Sequence, residues 1–165
     1  MARKAKYGPY NYERKLGSRN YNFSATVEGF VTETEKRMTA LAKQSTTNLI
    51  NEVQTPTAKG GKMRVDTGFL RASGQMSLTG IPSGPVRGDP DKKYSWDSAN
   101  AIADFANFAL GQTIYFGWTA NYAKYREAYD GFLISGIQNW QLIVNKVVAQ
   151  IVARSPANKG NKGTR

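Results

Sequence analysis

The chain has 165 residues, a formal net charge of +11, 40% hydrophobic and 21% charged residues, and no cysteine or histidine. This length and composition fit one globular domain that can bury a core without disulfides or a structural metal. The two absent residue types exclude thiolate nucleophiles, Ser-His-Asp arrangements and zinc sites built on Cys or His. No stretch approaches the roughly 18 to 20 apolar residues of a membrane span, so we expect no membrane partner.

The positive charge is concentrated at the two ends of the chain. Residues 1–22 carry six basic groups against Glu13, and residues 154–165 carry four basic groups and no acid, which leaves +2 between them. The pattern predicts a basic, tyrosine-rich arm (1–22), a single domain (23–154) and a disordered tail (155–165). Such ends predict an acidic partner, either protein or the phosphates of nucleic acid. The basic residues available for these contacts are Arg3, Lys4, Lys6, Arg14, Lys15, Arg19, Lys159, Lys162 and Arg165.

The domain opens with a segment, Phe23 to Val53, in which apolar residues recur at spacings of three and four. This periodicity predicts a long helix with one buried face, capped by Ser24 and ending near Gln54. Gly29 and residues 45–47 lower the helix propensity. If the helix has a break, we expect it at one of these two places.

Short elements follow in the middle of the chain. Residues 75–79 alternate polar and apolar side chains, and residues 113–118 are β-branched and aromatic, so both segments are predicted strands. Between them, residues 80–93 are rich in proline and glycine and predict an irregular surface loop. Asp97 or Ser98 then caps a short helix that runs to residue 110.

The last predicted element is a helix from Phe132 to Arg154, preceded by a compact aromatic segment at residues 122–129. The order of elements predicts an α+β fold, in which a small antiparallel sheet is packed by a long N-terminal helix and a long C-terminal helix. The apolar stripe of the C-terminal helix comprises Leu133, Ile137, Trp140, Val144, Val147, Val148 and Ile151.

The triplet Asp66-Thr67-Gly68 is the sharpest catalytic candidate, because aspartic proteases hold a catalytic Asp in such a turn. Only one triplet is present, so activity would need a homodimer, and no apolar strand precedes it. We expect instead that Asp66 initiates a turn and caps the segment that follows. The sequence therefore predicts a protein that is not an enzyme and binds no cofactor.

Three further groups have simple structural explanations. The three aspartates within residues 89–97 lack the alternation and terminal Glu of an EF-hand, so we predict solvated loop acids. Residues 59–62 lack the spacing of a phosphate-binding loop and predict a flexible loop that touches a phosphate backbone at most. The aromatic cluster of Trp118, Tyr122 and Tyr125 predicts a core or a subunit interface rather than base stacking.

Two segments in sequence carry a resemblance to a known family. Residues 65–73, Val-Asp-Thr-Gly-Phe-Leu-Arg-Ala-Ser, resemble the "V-D-T-G-x-L-R-x-S" segment of the tail-completion, or neck, proteins of tailed bacteriophages. Residues 114–116 and 120–127 are similar to the downstream "I-Y...N-x-x-Y-A-x-x-x-E" segment, which precedes a C-terminal helix in that family. The resemblance covers residues 23–152 and departs from the family pattern after Glu127, where the chain turns at once into the last helix.

The resemblance implies a virion structural protein that forms a ring at the head–tail neck, joining head to tail or completing the tail. The resemblance implies that the protein binds further copies of itself in a hexamer or dodecamer. It also implies contacts with neighbouring neck, connector, tail-tube or tail-terminator proteins, and contacts with DNA in the ring lumen that are not sequence-specific. The implied location is the virion neck, after assembly in the host bacterial cytoplasm. No catalytic residue carries over, and the implied fold and interface positions are Asp66, Thr67, Gly68, Leu70, Arg71, Tyr115, Tyr122, Ala123 and Glu127. The alternative from the charge distribution is a small nucleic-acid-binding protein with basic arms and no base specificity.

Overall fold

The computed structural model describes residues 23–82, 84 and 86–154, and the predicted arm (1–22) and tail (155–165) lie outside these residues. The chain divides into two units, Met1–Thr34 and Glu35–Arg165, whose boundary falls within one helix. In the first unit, the described residues form the start of that helix, and those from Ser24 onward are exposed. The second unit contains the sheet, the other helices and the core.

The first helix, α1, spans Phe23–Val53, which confirms the predicted long helix and its end. The helix continues through Gly29 and through residues 45–47, so neither of the predicted weak points interrupts it. Ser24 lies inside the helix rather than before it, so the predicted N-cap is wrong. Thr39 is accommodated within α1 because its hydroxyl donates to the carbonyl four residues earlier at 2.8 Å.

Two short strands, β1 (Gly74–Ser77) and β2 (Tyr115–Trp118), form an antiparallel pair. Gly74 lies opposite Trp118, and Ser77 lies opposite Tyr115. Both predicted strands are confirmed, although each is shorter than its sequence pattern. The C-terminal part of α1 and the C-terminal helices pack with this sheet, so the predicted α+β fold is confirmed.

Two short helices lie before and after β1 in the sequence. The helix α2 (Phe69–Ala72) leads into β1, and α3 (Ser98–Ala101) begins after Asp97. The carboxylate of Asp97 accepts from the backbone N–H groups two and three residues later, at 2.9 and 3.2 Å, as an N-cap does. The helix predicted to run to residue 110 ends at Ala101, and a 3₁₀ turn, Ala103–Asn107, follows it. The tighter repeat of that turn places two phenylalanines three residues apart against the core.

The loop predicted at residues 80–93 is irregular among its described residues, apart from a bridge between Val86 and Ala120. The aromatic segment that follows β2 is a helix, α4 (Ala123–Asp130), which the sequence pattern did not predict. It ends at Gly131, whose φ of 60° lies in the left-handed region that favours glycine.

The predicted C-terminal helix is confirmed as a helical region but consists of two helices, α5 (Phe132–Gln138) and α6 (Trp140–Arg154). Asn139 separates them, and its side-chain amide donates to the carboxylate of Glu52 on α1. The predicted stripe is only partly buried. Of its members, Val147 is buried, whereas Ile137, Trp140 and Val148 are exposed. The other buried residues of the two helices are Phe132, Gly136 and Ile143.

The core of the second unit contains two apolar clusters. The first consists of Met63, Leu70, Ala120 and Phe132. The second consists of Met76, Phe105 and Phe108. The first cluster lies directly under the two motif segments, because Leu70 belongs to one of them and Ala120 to the other.

Close contact between α5 and the end of α1 depends on Gly136. A Cβ atom at this position would lie 2.3 Å from Cγ1 of Val53 and 3.0 Å from Cδ1 of Leu49. The first distance is too short for two non-bonded carbon atoms, so any residue larger than glycine would force the side chain of Val53 or the helices themselves to shift.

Candidate functional site

The two segments that carry the sequence resemblance lie against each other in the structure. An open cleft of about 390 Å³ is lined by residues 64–71 from the first segment and by Tyr122 and Arg126 from the second. We call this place the motif junction. The sequence resemblance singled out nine fold and interface positions. Eight of them, all except Tyr115, lie at the junction or in the elements that support it.

The turn at the start of the junction requires glycine. Gly68 has φ of 85°, and a Cβ there would lie 2.2 Å from the carbonyl oxygen of Tyr94. The backbone N–H of Tyr94 donates to the carbonyl of Thr67 at 2.7 Å, which holds the neighbouring loop against this turn. The hydroxyl of Thr67 accepts from the N–H of Phe69 at 3.3 Å. The side-chain bond at this turn is therefore made by Thr67 and not by Asp66, whose side chain is exposed, so the predicted Asp66 cap is wrong.

Leu70 and Ser73 connect the first segment to the second. Leu70 is buried in the first core cluster. The hydroxyl of Ser73 donates to the carbonyl of Leu70 at 2.8 Å and accepts from the N–H of Ala120 at 3.2 Å. The carbonyl of Ser73 accepts from the N–H of Thr119 at 3.1 Å. These bonds fix the residues after β2 onto the end of α2.

Arg71 ties the junction to the end of α1. Its Nε donates to the carbonyl of Gln54 at 2.8 Å, and the side-chain amide of Gln54 donates back to the carbonyl of Arg71 at 3.2 Å. The guanidinium lies 5.4 Å from the ring centre of Trp96, in cation–π geometry. Burial lowers the pKa of Arg71 from its ordinary value, but arginine remains charged in proteins. A cation at the carbonyl end of a helix also interacts favourably with the helix dipole.

Tyr122 closes the cleft from the side of the second segment. Its ring centre lies 6.4 Å from that of Phe69, in a tilted arrangement. Burial raises the pKa of Tyr122 above its ordinary value, while a hydrogen bond with the backbone of Leu70 and the charge of Arg126 act in the opposite direction. The neighbouring Ala123 begins α4 and packs on the first core cluster. Both residues therefore support the fold at the junction.

Glu127 has a structural role that the sequence pattern did not reveal. Its Oε2 accepts from the backbone N–H of Leu133 at 2.7 Å, and its Oε1 accepts from the N–H of Ile134 at 3.0 Å. The carboxylate thus satisfies two N–H groups in the first turn of α5 that have no partner within the helix. A glutamate followed four residues later by a glycine and an apolar run is the sequence feature from which this cap could have been inferred.

Two arginines meet a buried carboxylate beside the junction. Arg126 lies 2.7 Å from Oδ2 of Asp130, at the i,i+4 spacing along α4, and Arg64 lies 3.4 Å from Oδ1. The carboxylate is 5% exposed, so it is held between α4 and the first segment. Sequence reasoning missed this pair, although the i,i+4 spacing on a helix was available as a signal.

One predicted position lies away from the junction. Tyr115 begins β2 at the end opposite Trp118, where it pairs with Ser77, and it is half-buried. The nine basic residues predicted to contact DNA or partner proteins all lie outside the described residues.

The other candidate groups have ordinary roles. Asp97 caps α3, and Asp89 accepts from the backbone of Asp91 at 3.0 Å. Within the described residues, no group of three or more acidic side chains is arranged to hold a metal ion. Of the predicted aromatic cluster, Trp118 and Tyr122 pack on the first core cluster, whereas Tyr125 is exposed. The segment from residue 59 to 62 is a turn centred on a glycine at position 60 with φ of 83°.

The motif junction therefore lies within the α+β framework, and most of its polar groups bond to the backbone of neighbouring elements. The chain matches no family model, no curated protein and no solved structure. In the part of the chain that the structure describes, none of the helices combines the length and apolar character needed to cross a membrane.

Proposed function

We propose that this chain is a structural protein of the bacteriophage virion neck, which joins head to tail or completes the tail as a ring-forming subunit. The observation that carries the proposal is the motif junction. Two segments that resemble those of neck proteins lie far apart in sequence, yet they meet and share one core cluster. A resemblance due to chance would not require the two segments to be in contact.

The chemistry of the junction also favours a structural role. The polar side chains of Thr67, Arg71, Ser73 and Glu127 each bond to backbone groups that position a neighbouring element. Such bonds organise a subunit and leave these groups committed to the fold rather than to a substrate. A subunit that binds its neighbours through its surface needs a domain whose elements are held in fixed positions in this way.

Large apolar side chains on the surface supply candidate contacts for assembly. Several of them lie on α1, α5 and α6, where aliphatic and aromatic residues are between two-fifths and three-quarters exposed. Exposed apolar residues that share one face of a helix, as Val27, Phe30 and Val31 do on α1, are typical of protein–protein interaction sites.

The test is made on particles. We expect a phage that lacks this gene to produce heads and tails that do not join stably, as seen by electron microscopy of the lysate. Expression of the wild-type chain in the host should restore joined particles. If heads with firmly attached tails form at the wild-type frequency without the protein, the proposal is wrong.

The charge distribution favours one alternative, a nucleic-acid-binding protein that uses its basic ends. Of the net charge of +11, residues 1–22 and 154–165 contribute all but +2. This alternative predicts binding to random-sequence DNA that weakens steeply with salt and is lost when residues 1–22 and 155–165 are deleted. Normal joining of particles by the deleted variant, together with loss of DNA binding, would separate the two roles.

A further inference from the structure

Two arginines at the motif junction share one carboxylate. Nη2 of Arg126 lies 2.7 Å from Oδ2 of Asp130, and Nε of Arg64 lies 3.4 Å from Oδ1. The side chain of Asp130 is 5% exposed and carries a single negative charge, so these three side chains together have a net charge of +1. The surplus charge lies beside the open cleft, because both arginines line it.

Arg64 is the more loosely held of the two arginines. Its side chain is 72% exposed, compared with 32% for Arg126. Its contact with Asp130 is longer than the roughly 2.7 to 2.9 Å of a charge-assisted hydrogen bond, and it is made through Nε rather than through the terminal nitrogens. A guanidinium has five N–H donors in a planar fork that matches a carboxylate. The Arg64 guanidinium can therefore turn from Asp130 toward an incoming anion while Arg126 keeps the buried carboxylate neutralised.

The lining of the cleft combines this charge with apolar surface. Beside the two arginines it contains Val65, which is 44% exposed, and the aromatic residues Phe69 and Tyr122. An acidic side chain has the same two parts, because its carboxylate is carried by methylene groups. The cleft therefore suits an acidic side chain better than a small inorganic anion, which has no apolar part.

The net charge of the cleft is small and positive. Its lining contains three arginines and one aspartate, and Asp130 contacts two of these arginines. Three positive charges against two negative ones leave +1, so one monovalent anion neutralises the cleft. Arg71, the third arginine, is held by the carbonyl of Gln54 at 2.8 Å, which leaves Arg64 and Arg126 to meet the anion.

The acids around the cleft favour a single carboxylate over a nucleic acid. Asp66 lines the cleft with an exposed side chain, and together with Asp89 it lines an adjoining cleft. The charge of Asp66 acts on Tyr122, because burial is the main reason that the pKa of this tyrosine is raised and the Asp66 carboxylate raises it further. A nucleic-acid strand carries one phosphate about every 3.4 Å and would bring several negative charges toward these two acids. One carboxylate needs only the two arginines.

We propose that the motif junction is a binding site for the carboxylate of an acidic side chain on a neighbouring protein subunit. Arg64 and Arg126 hold the carboxylate, and Val65 contacts the methylene groups next to it. Arginine is enriched at protein–protein interfaces, and its planar fork recognises a carboxylate with defined geometry. This inference deepens the proposed function and rests on it for the identity of the partner as a neck subunit, whereas recognition of a carboxylate is tested on the isolated full-length protein.

A compound with a single carboxylate tests the site directly. The probe is N-acetyl-glutamate α-amide, which carries one negative charge, and its control is the neutral N-acetyl-glutamine α-amide. The ¹⁵N-labelled protein is titrated with each compound to about 50 mM at constant ionic strength, because a single ion pair with little apolar contact gives a Kd of about 1 to 10 mM. We expect the NMR amide shifts of residues 64–71 and 122–127 to change and saturate with the glutamate compound, and to stay constant with the glutamine compound.

Four substitutions separate a carboxylate site from general electrostatic attraction. Arg64→Gln removes the exposed guanidinium and should weaken binding about 3- to 10-fold, and Arg64→Lys, which keeps the charge without the fork, should weaken it less. Asp66→Asn removes a like charge from the cleft and should tighten binding about 1.5- to 5-fold, a gain that partial unfolding cannot produce. Arg154→Gln is the matched control and should bind as the wild type does, because it removes an exposed arginine of α6 that does not line the cleft. Circular dichroism and urea unfolding of each variant establish that it is folded.

Four results would overturn the proposal. Absence of saturable shifts at the cleft, or equal shifts with the glutamine compound, would show that no carboxylate is recognised there. Equal weakening by Arg64→Gln and Arg154→Gln would show that binding depends on net charge alone. Shifts of the cleft amides with a random-sequence oligonucleotide, but not with the glutamate compound, would assign the cleft to nucleic acid.

The neck function is measured separately, so the two failures are distinguishable. If heads and tails join normally without the gene while the glutamate compound binds as expected, the neck function is wrong and the carboxylate site stands. If the compound does not bind while particles made without the gene stay unjoined, only the carboxylate site is wrong.

Discussion

Removal of the Glu127 carboxylate tests the role of the motif junction in holding the start of α5. In Glu127→Ala, the N–H groups of Leu133 and Ile134 lose charged acceptors at 2.7 and 3.0 Å. The first of these N–H groups is partly buried and the second is exposed, so water replaces the carboxylate mainly at Ile134. A helix cap contributes about 0.5 to 2 kcal/mol. A hydrogen bond to a charged group contributes about 1.5 to 3 kcal/mol, and the two ranges describe the same interaction. We therefore expect the free energy of unfolding to fall by about 2 kcal/mol.

The assay is urea unfolding followed by tryptophan fluorescence, with the slope of the transition compared between variants to confirm two-state behaviour. For a chain of this size, the loss corresponds to a fall in Tm of roughly 4 to 8 °C. Glu127→Gln keeps one acceptor oxygen without the charge and should fall between the wild type and the alanine variant. Glu35→Ala, which removes an exposed glutamate from α1, is the control and should change stability by less than about 0.5 kcal/mol. If Glu127→Ala and this control are equally stable, the carboxylate does not cap α5.

Three further predictions concern the same junction. Gly68→Ala should lower the free energy of unfolding by about 3 kcal/mol, measured in urea, because the new Cβ atom is strained at this left-handed φ and clashes with the neighbouring backbone. The control Gly80→Ala, which has open space around its Cα, should be nearly neutral. Arg71→Lys should lose about 1 to 2 kcal/mol through its missing Nε donor, and equal losses in the exposed control Arg87→Lys would contradict this. Because burial raises the pKa of Tyr122 above 10.0, the unfolded chain loses this proton first and stability falls as pH rises through that value. Tyr122→Phe should reduce that fall in unfolding scans between about pH 9 and 11, and an unchanged slope would refute the assignment.

Elements with strong local patterns were predicted well. The periodicity of residues 23–53 is enough to define α1, because one helix face repeats at a fixed spacing whatever lies against it. The two strands, the Asp97 cap and the helical region after Phe132 follow in the same way from short-range preferences. The 3₁₀ turn that follows α3 was not predicted, because the core and not the local sequence selects the tighter repeat.

The candidate site was predicted only as a set of positions. The sequence pattern singled out Arg71 and Glu127 but indicated neither partner, because Gln54 is 17 residues from Arg71 and the α5 backbone lies beyond a turn. The ion pairs of Asp130 were missed because one of them joins segments more than 60 residues apart. Contacts of this kind depend on how elements pack, which no local spacing records.

By itself the sequence determined the α+β class, the order of the long first helix, the two strands and the C-terminal helical region, the concentration of charge at the ends and the absence of thiol and imidazole chemistry. These properties depend on composition and on periodicities of two and three to four residues. Only the tertiary structure decided that α5 and α6 are separate and that the apolar stripe expected to be buried is partly exposed at Ile137 and Trp140. Burial is a property of what packs against a residue, so an apolar pattern predicts that a face will be covered, but not whether the covering surface belongs to the same chain.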